Sequence, residues 1–225
     1  MVTSIDIKNK IAVGLTVGDK IYAFDKIVSD SDINYVVNNL MDHPLKKRFN
    51  RLEPSSSALV FYWGVKKEFP ELDLHNILFS GDYKEEFDDL FQKKTIHADP
   101  TVYIFVSSKM VQSDAPKGCE NWFVMVNAPS NSKENWEELI RATKQNIIKK
   151  INKSLKTNIE DYIEHEKIAS PMTIEQETLS RGGALYGNSS NSIFSAFLRH
   201  PNFLKSIKNL YFVGGSVHPE APRKF

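Results

Sequence analysis

The chain has 225 residues, of which 41% are hydrophobic and 25% charged, a composition typical of a globular protein with one or two domains. Its formal net charge of +1 provides no basic field, so we predict no nucleic-acid partner. The single cysteine, Cys119, excludes an internal disulfide and favours a reducing compartment such as the cytoplasm. No apolar run approaches the roughly 20 residues of a membrane-spanning helix, and the first residues do not resemble a signal peptide.

The first part of the chain is predicted to be a series of short strands. Alternating residues predict strands at 2–7, 11–17 and 21–24, with tight turns between them. A further strand leads to Ser31 and Asp32, either of which is a good N-cap for a helix. The buried side of that helix is expected to carry four residues: Tyr35, Val36, Leu40 and Met41.

The middle of the chain combines strands with two helices. Residues 57–65 form a nearly unbroken apolar run, which predicts a strand covered on both faces. Asp82 is expected to cap a helix on which Tyr83, Phe87, Leu90 and Phe91 fall on one face. A long helix is predicted over 133–155, with Ser132 as its cap. Further strands are expected at 75–80, 101–107, 122–126 and 159–168, and a short helix after Ser170.

The last apolar run, 210–213, predicts a strand buried on both faces, as in a parallel sheet. Gly214 and Gly215 follow at once, and paired glycines allow a backbone to approach a ligand or to turn sharply. Ligands of open α/β sheets bind at the carboxyl ends of strands. An ordinary junction between a strand and a turn explains the pair equally well.

The sequence contains few motifs that indicate a catalytic or metal-binding site. The six histidines form no metal-binding pair or Cys/His cluster, so no metal site is predicted. The nucleophile motif G-x-S-x-G of hydrolases is absent. The aromatic run Phe61-Tyr62-Trp63 remains, and it fits either a hydrophobic core or the wall of a channel for an apolar substrate.

The end of the chain resembles the phytoene desaturase family, the FAD-dependent carotenoid desaturases among the amine-oxidase-like flavoproteins. The resemblance lies in Arg181-Gly-Gly-Ala-Leu-Tyr-Gly187 and in Ile207-Lys-Asn-Leu-Tyr-Phe-Val-Gly-Gly-Ser-Val-His-Pro219. It extends to Tyr62-Trp-Gly-Val65 and to Phe79-Ser-Gly-Asp-Tyr-Lys-Glu-Glu-Phe87. The chain is therefore identified as a carboxyl-terminal portion of such a protein.

The resemblance implies a mixed α/β fold in two parts. Residues 1–31 and 180–225 would be the remnant of a Rossmann-like FAD-binding domain. Residues 32–179 would be the substrate domain, with a largely antiparallel sheet and helices. The implied reaction forms carbon–carbon double bonds in a long apolar polyene by hydride transfer to the flavin.

The resemblance also implies roles for particular residues. Gly214, Gly215, Ser29 and Asp30 would lie beside FAD, and Phe61, Tyr62 and Trp63 would line the substrate channel. Tyr186 and His218 are the candidates for proton transfer by position alone. Because the family handles lipid-soluble polyenes, peripheral association with a membrane surface is a further expectation.

The sequence departs from the family at both ends. The G-x-G-x-x-G turn that holds the pyrophosphate of FAD is absent, and the residues after Pro219 do not continue as the family does. We therefore expect an incomplete desaturase whose partner is the missing amino-terminal FAD-binding half. The alternative is a non-catalytic fragment or a complementing half.

Overall fold

The computed structural model describes residues 1–44, 46, 53–131, 135–188 and 200–217. It divides the chain into two compact units. Unit 1 comprises Met1–Ser55 and Ile174–Phe225, and unit 2 comprises Ser56–Thr173. The sequence predicts boundaries at 31/32 and 179/180 instead. The first boundary lies later in the structure because the helix after Asp32 buries its apolar side chains in the core of unit 1.

Unit 1 is built on a six-stranded mixed sheet. Its strands are β1 (Val2–Lys8), β2 (Ile11–Val17), β3 (Lys20–Ala23), β4 (Ile27–Ser29), β10 (Phe203–Leu204) and β11 (Ile207–Phe212). The first three strands form an antiparallel meander, as predicted. β11 pairs with β10 in antiparallel and with β4 in parallel orientation, so the two ends of the chain share one sheet.

A short helix covers one face of this sheet. Helix α1 spans Ile33–Tyr35 and continues as a π-helix over Val36–Leu40. Asp32, one of the two caps that the sequence offers, is its N-cap: its carboxylate accepts hydrogen bonds from the main-chain N–H groups of Asn34 (2.8 Å) and Tyr35 (3.2 Å). The core of unit 1 joins this helix to the sheet through Ile27, Ile33, Val36, Val37, Leu40, Leu210 and Phe212.

Unit 2 is built on a five-stranded antiparallel sheet with the order β6-β7-β8-β5-β9. The strands are β5 (Ser57–Val65), β6 (His75–Leu78), β7 (Val102–Phe105), β8 (Glu120–Ala128) and β9 (Ile163–Ala169). Its helices are α2 (Tyr83–Asp88), which continues as a π-helix over Asp89–Lys93, and α3 (Trp136–Leu155). Helix α4 (Pro171–Thr178) contains the boundary between the two units.

The core of unit 2 lies between α3 and one face of the sheet. It contains Phe61, Trp63, Ile104, Trp122, Val124, Trp136, Ile147 and Ile151, all of them buried. The long helix predicted over 133–155 is observed as α3. Ser132, the predicted cap of this helix, lies outside the described residues.

Two faces are less buried than the sequence patterns indicate. On α2, Tyr83 and Phe87 are exposed and their rings contact each other at 4.7 Å between centroids. Glu86 is buried instead, because its carboxylate accepts hydrogen bonds from the N–H (2.9 Å) and the hydroxyl (2.7 Å) of Thr101. On β11, Leu210 and Phe212 are buried but Tyr211 is not.

Among the described helices, none combines the length and the apolar character that crossing a membrane requires.

Replacing Phe61 by alanine tests the packing of unit 2. Phe61 is 0% exposed, so Phe61→Ala leaves a cavity and should lower the free energy of unfolding by about 3–5 kcal/mol. All three tryptophans lie in unit 2, so urea unfolding followed by tryptophan fluorescence reports on it. Tyr62→Ala is the matched control: its side chain points to the other face and is 44% exposed, so the loss should stay under about 1 kcal/mol. Equal losses would contradict this assignment of the two faces.

Candidate functional site

Three segments of unit 1 meet at the carboxyl ends of β4 and β11. The parallel pairing places Phe212 beside Ser29, and the N–H of Val213 donates to the carbonyl of Ser29 at 2.9 Å. The turn after β11 reaches the start of α1, where the hydroxyl of Ser216 accepts from the N–H of Ile33 at 3.0 Å. The arrangement brings Ser29 and Asp30 close to Gly214 and Gly215, all four of which are predicted cofactor residues.

The two glycines allow the backbones of these segments to pass close to one another. A Cβ atom on Gly215 would lie 2.6 Å from the carbonyl oxygen of Leu185, which is a steric clash. Gly214 has a φ of +94°, and a Cβ there would lie 3.3 Å from the carbonyl oxygen of Asp30. A Cβ atom on Gly187, from the same loop as Leu185, would lie 3.0 Å from the Cα of Ser216. Contacts within the chain therefore account for the glycine pair.

Asp32 is the buried ionisable group of this region. Burial raises the pKa of its carboxyl group above the ordinary value, while the hydrogen bonds from the N–H groups of Tyr35 and Asn34 and the charge of Arg181 oppose that rise. The carboxylate is therefore engaged in holding α1. Its role at this point is to position the helix start against the turn after β11.

The two residues proposed for proton transfer have different outcomes. Tyr186 lies in the loop that approaches Gly215, its side chain is partly exposed, and its N–H donates to the hydroxyl of Ser55 at 3.0 Å. The N–H of Ser55 in turn donates to the carbonyl of Gly187 at 2.8 Å. His218 lies outside the described residues.

These residues supply at most one wall for FAD. A pyrophosphate needs several hydrogen-bond donors, commonly the N–H groups of a glycine turn and the helix that follows it. The chain contains no G-x-G-x-x-G sequence, and the N–H of Ile33 is already bound to Ser216. Asn34 Oδ1 is buried with no partner among the described residues, but it is an acceptor and does not attract a phosphate. The residues present therefore do not fit the whole cofactor.

Unit 2 has a different feature, an aromatic row on the face of its sheet opposite α3. The ring centroids of Tyr62 on β5 and Phe123 on β8 lie 5.5 Å apart. Those of Phe123 and Tyr103 on β7 lie 6.2 Å apart. His75 on β6 stacks on Tyr103 at 6.0 Å and lies 5.1 Å from Phe105. We call these five side chains the aromatic row. They cross four neighbouring strands and are nowhere fully buried.

Polar groups fix this row and border it. The hydroxyl of Tyr103 and Nδ1 of His75 form a hydrogen bond of 2.7 Å, which orients both rings. A depression of about 570 Å³ lies over one end of the row, lined in part by Tyr62, Phe105 and Phe123. His165 and Lys167 of β9 stand at its border. The surface offers flat apolar contacts with few polar groups.

The predicted channel residues lie on two faces of β5. Tyr62 belongs to the aromatic row, whereas Phe61 and Trp63 point into the core because successive residues of a strand alternate. The sequence alone does not connect Tyr62 with Tyr103, Phe105, Phe123 or His75. The registers that unite them, Tyr62 opposite Phe123 and His75 opposite Phe105, connect strands far apart in the sequence.

The described residues contain no group of three or more His, Cys, Asp or Glu side chains placed to hold a metal ion.

Known proteins give the context for these two surfaces. The 1-hydroxycarotenoid 3,4-desaturase of Flavobacterium sp. (strain P99-3) is 48% identical over 219 residues, which are 97% of this chain and 45% of that protein. The chain is a homologue of the carotenoid desaturases. The 4,4'-diapolycopene oxygenase of Methylomonas sp. is 30% identical over 212 residues, which are 92% of this chain and 42% of that protein. No protein-family model matches the chain.

The chain spans less than half the length of the curated relatives it matches. Among solved structures, an oxidoreductase from Methanosarcina mazei superimposes with a TM-score of 0.60, covering 96% of this chain and 43% of that chain. At 12% identity this likeness concerns the fold alone. The resemblance to carotenoid desaturases and the mixed α/β fold class, both predicted from the sequence, are confirmed.

Adding one methyl group at Gly215 tests the close approach at the end of β11. Gly215→Ala places a Cβ against the main chain of the 185–187 loop, so unit 1 should lose about 1–3 kcal/mol of stability. Hydrogen exchange of the β4 and β11 amides measures this loss, since unit 1 has no tryptophan. The control is Gly81→Ala, where a Cβ would meet only a side-chain oxygen at 3.4 Å. Unchanged exchange in Gly215→Ala would refute the steric explanation.

Proposed function

We propose that this chain forms part of an FAD-dependent carotenoid desaturase, in which unit 2 presents the aromatic row to a long apolar polyene. The observation that carries the proposal is the 48% identity, over nearly the whole chain, to a carotenoid desaturase. The aromatic row supports it independently, because such a surface suits a substrate without hydrogen-bonding groups. Unit 1 would contribute one wall of the cofactor site.

The fit between the row and a polyene rests on shape and desolvation. A conjugated chain is long, flat and apolar, so its binding is driven by removing that surface from water and by contact with aromatic rings. The row crosses β5, β8, β7 and β6 in order, which matches an extended ligand. The hydrogen bond between Tyr103 and His75 pairs two of the polar atoms that would otherwise face the apolar chain.

The cofactor contribution of this chain would be limited. In a complete site, a bound flavin would supply the hydride acceptor for forming a double bond. Ser29, Asp30, Gly214 and Gly215 would form the wall at the carboxyl ends of β4 and β11. Tyr186 remains the proposed residue for proton transfer, since its side chain is partly exposed beside this wall.

A membrane surface is a proposed site of action, because the substrate is lipid-soluble. Unit 2 has a second depression of about 760 Å³ in which exposed Ile77 and Phe79 lie near Lys149 and Lys153. Apolar side chains bordered by lysines suit the boundary between anionic head groups and acyl chains.

The second candidate function is a non-catalytic or complementing half of a desaturase. The absence of the G-x-G-x-x-G sequence favours it for the chain alone. A hybrid protein separates the two candidates. In this hybrid, the chain replaces the matching stretch of the Flavobacterium 1-hydroxycarotenoid 3,4-desaturase, so the remainder of that relative is supplied.

FAD titration is the first test. The chain alone lacks several of the donors that a pyrophosphate needs, and each lost charged hydrogen bond removes about 1.5–3 kcal/mol. Its affinity for FAD should therefore be at least about 10³-fold weaker than that of the hybrid. Flavin fluorescence and calorimetry measure both. Tight, stoichiometric binding by the chain alone would overturn the view that this chain supplies one wall only.

The second test concerns the aromatic row in the hybrid. Tyr62→Ala and Phe123→Ala should each raise KM for a 1-hydroxycarotenoid by about tenfold or more, since each removes apolar contact area. Tyr22→Ala is the control, a tyrosine of similar exposure on β3 of unit 1, and it should leave KM unchanged. Absence of desaturation in the parent hybrid would favour the non-catalytic candidate. Equal effects of all three substitutions would sink the role of the row.

A further inference from the structure

A second surface of unit 1 has no role in the function proposed above. β4 and β11 form a parallel pair, and the side chains on one of its faces are buried under α1. On the other face, Val28 stands directly opposite Tyr211, and Tyr211 stands opposite Phe203 of β10. These three side chains are 63%, 39% and 38% exposed. Together with Val213, also exposed, they form what we call the apolar row.

An exposed apolar row is unusual at this place in a sheet. Parallel strands are almost always covered on both faces, whereas an antiparallel meander commonly leaves one face in water. The exposed side chains of β3, such as Ile21, belong to such a meander and need no cover. The apolar row lies on the parallel pair, where a second covering layer is the rule.

Strand β4 of this pair also has an open edge. Among the strands of the described residues, only β11 pairs with β4. The carbonyl of Ser29 points to β11, where it accepts from Val213. Neighbouring residues of a strand direct their main-chain groups to opposite sides, so the N–H and C=O of Val28 point to the other edge. An unpaired edge beside an apolar face is a template for a further strand.

We propose that the apolar row and the open edge of β4 dock the remainder of the desaturase polypeptide, which supplies a strand to the edge and an apolar layer to the face. Length indicates this occupant, because relatives that match nearly this whole chain are more than twice as long. The inference rests on the proposed function in that the occupant is the same half that would complete the FAD site. It adds the surface on which that half is held.

Hydrogen exchange in the chain and in the hybrid tests the open edge. The amide of Val28 should exchange rapidly in the chain alone and at least about a hundredfold more slowly in the hybrid. The amide of Ser29, which faces β11, is the internal control and should be protected in both. Equal exchange of the Val28 amide in the two proteins would overturn the proposal.

Substitution of Val28 by lysine tests the apolar row. Val28→Lys should leave the Tm of the chain alone unchanged, because the side chain is already exposed there. In the hybrid it should lower Tm by at least about 3 °C, since the charge would be buried under the docked layer. Val28→Ile should be tolerated in both proteins. Ile21→Lys is the matched control at an exposed position of the meander and should be neutral in both.

The outcomes separate docking from function. Similar effects of Val28→Lys and Ile21→Lys in the hybrid would overturn the docking surface. A dimer of the chain alone that Val28→Lys dissociates would assign the row to a second copy, and this would overturn it as well. A hybrid that protects Val28 yet neither binds FAD nor desaturates a carotenoid would refute the proposed function and leave the docking surface standing.

Discussion

The parallel pairing of β4 with β11 is the interaction on which the rest of unit 1 depends. It joins Ile27, Val28 and Ser29 to Leu210, Tyr211 and Phe212, which are separated from them in the sequence by all of unit 2. Closing such a long connection costs conformational entropy, which other contacts within unit 1 must offset. They are the buried side chains beneath α1 and the turn at Gly214 and Gly215, whose neighbour Ser216 binds the start of that helix.

The two sheets differ in what their second faces offer. In unit 2 the exposed face carries five aromatic rings, and the Tyr103 hydroxyl and His75 Nδ1 among them are bonded to each other, so this face is largely apolar. In unit 1 the exposed face lies on a parallel pair beside an open edge, and it suits further polypeptide. This difference follows from strand direction, because an antiparallel sheet forms with one face in water whereas a parallel one rarely does.

The glycine pair is required by the close approach of neighbouring backbone segments. Gly215 is required by the carbonyl of Leu185, and Gly214 adopts a φ that favours glycine. Chain packing therefore accounts for both residues. The proposed cofactor wall rests on their place at the carboxyl ends of two parallel strands and on the resemblance to carotenoid desaturases. It does not rest on the glycines as such.

Local pattern in the sequence determined most of the elements: the meander, the apolar strand 57–65, a helix cap at residue 31 or 32, the long helix and the strand before the glycine pair. These features depend on neighbours along the chain, which the sequence displays directly.

Tertiary structure alone decided which faces are buried. Glu86 is buried because Thr101 lies beside it, and Tyr83 is exposed in its place. Phe61 and Tyr62 have similar character but lie on opposite sides of β5, and only the position of α3 determines which one enters the core. The aromatic row and the apolar row are likewise sets of residues from separate strands. Register between strands is fixed by long-range packing, so no local pattern could have united them.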